Sequence, residues 1–239
     1  MKLNLPCTAV VTGASQGIGE AIATALSAAG ANTILAGRSI DRLSAVQQKL
    51  SGSASSASVD LSNLKDIERF ASDINEQHAE INALINCGGI YHRGSWQETS
   101  IEQLDELFRT NVLGTYALTK ALLPSLIKTR GDVVFINSSI VNSNAMNTGD
   151  YAATQHALRG IADALRAEVN DAGVRILSIF PGRTATPRQR DIHANKAKDY
   201  RPDMLLQPSD VAEMVVACMS IPTTAEVTDL HIRPRKKGP

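Results

Sequence analysis
Short and almost wholly apolar runs recur along the chain, at residues 7–12 (CTAVVT), 32–36 (NTILA), 82–86 (NALIN), 132–137 (DVVFIN) and 174–180 (VRILSIF). None alternates apolar with polar positions, so each predicts a strand covered on both faces. The longer stretches between them follow a helical period, and strand-helix alternation of this kind predicts a parallel, doubly wound α/β sheet with helices on both faces. In the first such stretch Ile18, Ile22, Ala25, Leu26 and Ala29 share one face, and Gly30 stands where a C-terminal cap belongs. Further helices are predicted over 40–50 and 63–77. The serine-rich segment 51–56 is too short to separate domains and leads into a weak strand ending at Val59-Asp60. No internal repeat is visible, and residues 1–239 are read as a single domain. The polar stretch 184–208 is bounded by prolines, and a connection of that length predicts a lid.

Composition narrows the function classes. The 239 residues carry 24 Lys+Arg against 24 Asp+Glu, with no block of like charge beyond Arg235-Lys236-Lys237, so neither nucleic acid nor an anionic membrane is indicated as partner. No apolar run approaches the ~18 residues of a membrane span, and Met1-Lys2 leads into Asn4 and Pro6 rather than a signal-peptide core, which reads as cytoplasmic. Cys7, Cys87 and Cys218 are widely spaced and lack ligand-spaced His or Cys neighbours. They are read as buried hydrophobes, with neither a disulfide framework nor a metal site.

The first apolar run passes directly into Thr12-Gly13-Ala14-Ser15-Gln16-Gly17-Ile18-Gly19 and then into a helix. In that context glycines permit a tight turn close to a pyrophosphate, and the helix N-terminus offers unpaired N–H groups to it. TGASQGIG resembles the TGxxxGxG loop of the short-chain dehydrogenase/reductase family, and further matches follow in order to about residue 187. The resemblance implies a Rossmann-type fold whose cofactor loop is Gly13, Ser15, Gln16, Gly17, Ile18 and Gly19. It also gives Arg38 a meaning: NAD enzymes of this type tend to have an acid there, whereas a guanidinium suits the 2′-phosphate of NADP(H), with Ser15 and Ser39 as added hydroxyls. NAD(H) is the less favoured cofactor. Asp60 and Leu61 would hold the adenine, with helix capping the alternative for Asp60. Asn86-Cys87-Gly88-Gly89 departs from the family's Asn-Asn-Ala-Gly, with Asn86 and Gly88 kept beside the cofactor and Cys87 expected to matter structurally.

By the same resemblance Asn111, expected to open a long helix that is locally distorted there, belongs to a proton relay, and Ser138 and Tyr151 are the serine and tyrosine of the catalytic pair, with Ser139 the alternative. Tyr151 would exchange the proton of the substrate oxygen while Ser138 polarises that oxygen. The family pattern Tyr-x-x-x-Lys is broken, because the chain reads Tyr151-Ala152-Ala153-Thr154-Gln155. Tyr151, Gln155, Leu158, Ala162 and Leu165 form one stripe, so Gln155 points inward, able to bond ribose hydroxyls yet carrying no charge to stabilise a phenolate. The phenol is expected near its ordinary pKa of about 10. Arg159, one further turn along, is a candidate replacement charge, and His156 is poorly placed for that role.

Pro181-Gly182 and Thr184 or Thr186 match the segment that closes over the nicotinamide, and His193, Lys196, Lys198, Tyr200 and Arg201 charge the lid. Tyr91, His92, Arg93 and Trp96 occupy a substrate-loop position, with Trp96 read as a packing anchor. The resulting reading is an NADP(H)-dependent oxidoreductase of a small-molecule carbonyl or alcohol. Its rival is a catalytically silent NADP-binding sensor or scaffold. Helices over 99–128 and 149–171 imply, by resemblance, a homodimer or homotetramer.

Overall fold
The computed structural model describes residues 3, 7–143, 146–194 and 199–235. Its centre is a seven-stranded sheet, β1 (Thr8–Thr12), β2 (Asn32–Gly37), β3 (Ala54–Ser58), β4 (Ala83–Asn86), β5 (Asp132–Ile136), β6 (Arg175–Pro181) and β7 (Asp229–Ile232), in the order β3-β2-β1-β4-β5-β6-β7. Every pairing is parallel. Chain order reverses between β1 and β4, the place where open α/β sheets bind ligands beyond their carboxyl ends.

The apolar runs are buried because helices lie on both faces. One core layer packs Val11, Leu35, Ile85 and Ile179 with α1 (Gly17–Ala28) and α8 (Pro208–Met219). The opposite layer packs Val10, Ile34, Leu84 and Phe135 with α3 (Leu64–Gln77), α5 (Thr115–Thr129) and α6 (Gly149–Val169). Gly30, at φ 96°, follows the Ala29 cap of α1 as the sequence predicted.

The helix read over 40–50 is α2 (Ile40–Gln47), capped by Ser39, which accepts from the Arg42 N–H. Asn63, rather than Asp60, caps α3. The helix read over 99–128 is α4 (Ile101–Phe108), a π-helical turn over 109–114, and α5. Asn111 therefore lies inside a continuous helical run rather than opening it: Ser100, with a reciprocal Gln103 bond, caps the start eleven residues earlier.

The 184–208 segment is more structured than its polarity suggested. Its ends meet as a parallel bridge between Thr184 and Leu206, and α7 (Pro187–Ala194) lies between them. Lys196 and Lys198 fall outside the described residues. Trp96 is 92% exposed and anchors no core, which overturns the packing reading. Among the described residues no helix is long and apolar enough to cross a membrane.

Candidate active site
The carboxyl ends of β1 to β6 open into a cleft of about 650 Å³. Every residue proposed for cofactor or chemistry lines it, from Gly13, Ser15, Gln16, Gly17, Ile18 and Gly19 through Arg38, Ser39, Asp60, Leu61, Asn86 and Gly88 to Asn111, Ser138, Tyr151, Gln155, Pro181, Gly182, Thr184 and Thr186. Sequence-distant groups meet there because the parallel strands all end on one side of the sheet.

At the β1 end two glycines are required by their surroundings. Gly13 has φ +66°, and a Cβ on it would stand 2.9 Å from the Gly88 Cα; Gly17 has φ +62°, facing the Thr186 side chain at 3.2 Å. Gln16 precedes α1 without a side-chain capping bond, leaving the first amides of that helix open toward the cleft. Thr12, which the sequence reading passed over, ties this loop to β4: its hydroxyl accepts from Cys87 N at 3.0 Å and Gly88 N at 2.8 Å and sits 3.3 Å from the Ile85 carbonyl. That bond pair steadies the turn where Cys87 replaces an amide. Burial pushes the Cys87 thiol up to about 12, so it is an inert packing group at neutral pH.

At the opposite end Arg38 and Arg42 are exposed and flank Ser39, and neither guanidinium has a hydrogen bond or ion pair among the described residues. Arg42 was not foreseen; its position three residues after Ser39, in the first turn of α2, was the available signal. Asp60 Oδ1 accepts from the Ser62 N–H at 2.9 Å and its hydroxyl at 2.8 Å, which orients the carboxylate beside Leu61.

The candidate residues Asn111 and Gln155 are linked through Thr154, also missed, although it adjoins Gln155. Asn111 Oδ1 accepts from Ile90 N at 2.8 Å, which fixes the amide so that Nδ2 donates to Ile90 O at 2.9 Å and to the Thr154 hydroxyl at 3.3 Å. Thr154 donates its own proton to Tyr151 O at 2.7 Å. The Gln155 atom 3.3 Å from that hydroxyl must then be the donor Nε2, leaving Oε1 buried and without a partner. Gln155 itself is 3% exposed, as its stripe predicted. Arg159, the candidate replacement charge, is directed elsewhere: its guanidinium lies over the Phe180 ring, 5.6 Å from the centroid. His156 is exposed.

Tyr151 stands in the first turn of α6. Its N–H is taken by Asp150 Oδ1 at 2.7 Å, and its ring meets Tyr91 edge-on at 4.9 Å. Asp150 Oδ2 in turn lies 2.6 Å from His92 Nδ1. Burial raises the phenol above its ordinary value, which corrects the expectation of an unshifted group; the Arg188 charge and the Ser138 side chain oppose that rise, and Tyr91 and Cys87 add to it. Ser138 Oγ accepts from Ile140 N at 3.2 Å, which holds it at the end of β5. Pro181 and Gly182 close the β6 end, where Thr184 donates to Gly182 O at 3.0 Å, while Thr186 accepts from Gln189 N at 3.2 Å and lies over Gly17.

The site fits a dinucleotide on structural grounds: a glycine cradle that a Cβ would fill, open helix amides, free cations at one end and an orphaned buried acceptor at the other. Sheet order and cleft together define a nucleotide-binding α/β protein of the doubly wound type. Comparison narrows the class: residues 7–197 match the short chain dehydrogenase family model, and the chain belongs to that family of oxidoreductases. It is 31% identical over 227 residues to an uncharacterised oxidoreductase of Staphylococcus epidermidis, covering 95% of this chain and 96% of that one. It is 34% identical over 187 residues to dehydrogenase/reductase SDR family member 7B of Danio rerio, covering 74% of this chain and 60% of that one. Among solved structures it resembles an alcohol dehydrogenase from the archaeon Thermococcus sibiricus complexed with 5-hydroxy-NADP, with TM-score 0.86 and 28% identity over 98% of each chain. It also resembles a serine dehydrogenase complexed with NADP+, with TM-score 0.88 and 25% identity over 97% of this chain and 96% of that one.

Proposed function
We propose that the chain is a single-domain, NADP(H)-dependent oxidoreductase that interconverts a small-molecule carbonyl and its alcohol, with Tyr151 as the proton-transferring group. The observation that carries this reading is the convergence, in one cleft, of the glycine loop with Asn111, Ser138 and Tyr151. When bound, the nicotinamide cofactor supplies or accepts the hydride. Gly13 and Gly17 let the backbone approach the pyrophosphate, and the open amides of α1 favour its charge. Arg38 and Arg42 favour the 2′-phosphate of NADP(H), since two unpaired cations flank Ser39 at that end of the cleft and the Asp60 carboxylate there already accepts two bonds from Ser62. Gln155 presents Oε1 as an acceptor for a ribose hydroxyl.

Ser138 holds the substrate oxygen and Tyr151 moves the proton at that oxygen. A phenol whose pKa is raised is a competent donor toward an alkoxide, which is far more basic, and a poor base toward an alcohol. Reduction is therefore the favoured direction. The 184–208 segment serves as the substrate lid, and the active form is a homodimer or homotetramer. The missing charge at residue 155 favours one second reading, a binding protein that retains NADP(H) without turnover.

Calorimetric titration with NADPH and NADH, followed by assay with a panel of ketones, tests both readings. Tighter NADPH binding with ketone-dependent oxidation supports the enzyme; tight binding without turnover supports the silent protein; equal or absent binding of both dinucleotides sinks the proposal.

A further inference from the structure
Position 155 is neutral, Arg159 is spent on Phe180, and the half-buried Tyr151 phenol still needs a cation if it is to ionise. Four groups act electrostatically on Tyr151: Arg188 on α7, Ser138 after β5, and Tyr91 and Cys87 after β4. Of these four only Arg188 is a cation. It lines the same cleft as Tyr151 and Ser138, and its Nη2 donates to the Gly89 carbonyl at 2.6 Å. Gly89 is the glycine whose Cβ direction faces Asn111 Oδ1, so the arginine is pinned to the turn that also borders the asparagine. The same charge acts on Cys87, which places it beside the end of β4 rather than out on the lid surface.

We propose that Arg188, brought into the cleft by the lid helix, supplies to Tyr151 the positive charge that position 155 does not. This rests on the reading of Tyr151 as the proton-transferring group. Arg188 acts through the phenol, as an electrostatic positioning residue, and the bond to Gly89 couples its presence to the seating of α7. Proton transfer then depends on lid closure in a way that a charge fixed on α6 would not require. Because Arg188 is an exposed residue, water screens part of its field, and the effect is set at about one pKa unit, the lower end for an opposite charge near a phenol.

The test places a difluorotyrosine at position 151, whose fluorines bring the titration into an accessible range, and follows it by fluorine NMR in the cofactor-free chain. Arg188→Gln is expected to raise the midpoint by about one unit, equivalent to a tenfold loss of phenolate at a given pH. Arg188→Lys should leave it within a few tenths of a unit, and adding Gln155→Lys to Arg188→Gln should bring it back down. A midpoint unmoved in Arg188→Gln, or raised equally in Arg188→Gln and Arg188→Lys, overturns the inference. Neither result depends on turnover, so failure here is distinct from failure of the enzymatic reading, which Tyr151→Phe assays address.

Discussion

Gln155→Lys places an ammonium one helical turn from Tyr151, at a side chain that is 3% exposed and whose Oε1 has no partner. Lysine retains a donor for the Thr154 hydroxyl, so the network that fixes Asn111 survives. An opposite charge within about 4–6 Å lowers a phenol by about 1–3 units. Each unit is worth about 1.4 kcal/mol to the ionised form. Against this stand the desolvation of the ammonium and about 1.5–2 kcal/mol of lost side-chain freedom. The cleft is open rather than sealed, and Arg188 already acts on the same phenol, so a lowering of about one to two units is expected.

Alcohol oxidation at neutral pH requires the phenolate and should rise about 10- to 100-fold, with the ascending, acid-side limb of kcat/KM moving down by the same one to two units. Carbonyl reduction should change by less than about tenfold, because the neutral phenol already donates downhill. Steady-state rates in both directions across pH, for the given chain, Gln155→Lys and the neutral control Gln155→Met, make the measurement. Alcohol oxidation by Gln155→Lys no faster than by Gln155→Met, with both binding cofactor equally, would refute a role for charge at position 155.

Four further outcomes are expected. Arg38→Ala should weaken NADPH by about 10- to 100-fold, the loss of a charge-assisted bidentate contact, and leave NADH within about threefold, as read by calorimetry. Thr154→Val strips a fully buried acceptor from Asn111 and Gln155 and should cost about 2–3 kcal/mol in urea unfolding, with kcat reduced more than cofactor affinity. Gly13→Ala forces a side chain into a φ of +66° against the Gly88 backbone and should lower stability by at least about 1–2 kcal/mol while abolishing measurable NADPH binding. Cys7 is held at about 11 by burial, against 9.0 for a free thiol. The folded thiol therefore stays protonated while the unfolded one ionises, and stability from this group is full below pH 9 and falls between about 9 and 11. The penalty of Cys7→Ala should accordingly shrink by about 1.4 kcal/mol per pH unit over that window, measured by urea titration at several pH values.

The five continuous apolar runs and the glycine loop were readable because each strand is covered on both faces and the loop geometry demands particular residues. The edges were harder. β3 (ASSAS) shows only a weak signal and β7 (DLHI) none, since edge strands are half-buried and need no apolar run. α8 carries Val211, Ala212, Val215, Val216 and Met219 at helical spacing and a proline at its start, a pattern that was present and unused. The π turn around Asn111 left no mark in the apolar periodicity, because one extra residue in a helix is a backbone event; only the family resemblance pointed to a distortion there. In the site, the residues proposed to carry the chemistry, from the glycine loop to Tyr151, were picked out by resemblance to the family's motifs. Thr12, Thr154 and Arg188 were not, for their roles exist only through partners far away in sequence: Cys87 and Gly88 for the first, Asn111 for the second and Gly89 for the third. Trp96 misled because a lone tryptophan suggests a core anchor, whereas this one stands beside Gly149 at the surface.

The central claim is that Tyr151 moves a proton at a substrate oxygen in this cleft. It is tested most directly by following ketone-dependent loss of NADPH absorbance for the given chain and Tyr151→Phe, with NADPH affinity measured on the same samples. Turnover by the unmodified protein and at least about a hundredfold loss in Tyr151→Phe, at unchanged NADPH affinity, are expected. Equal turnover in the two proteins would contradict that claim.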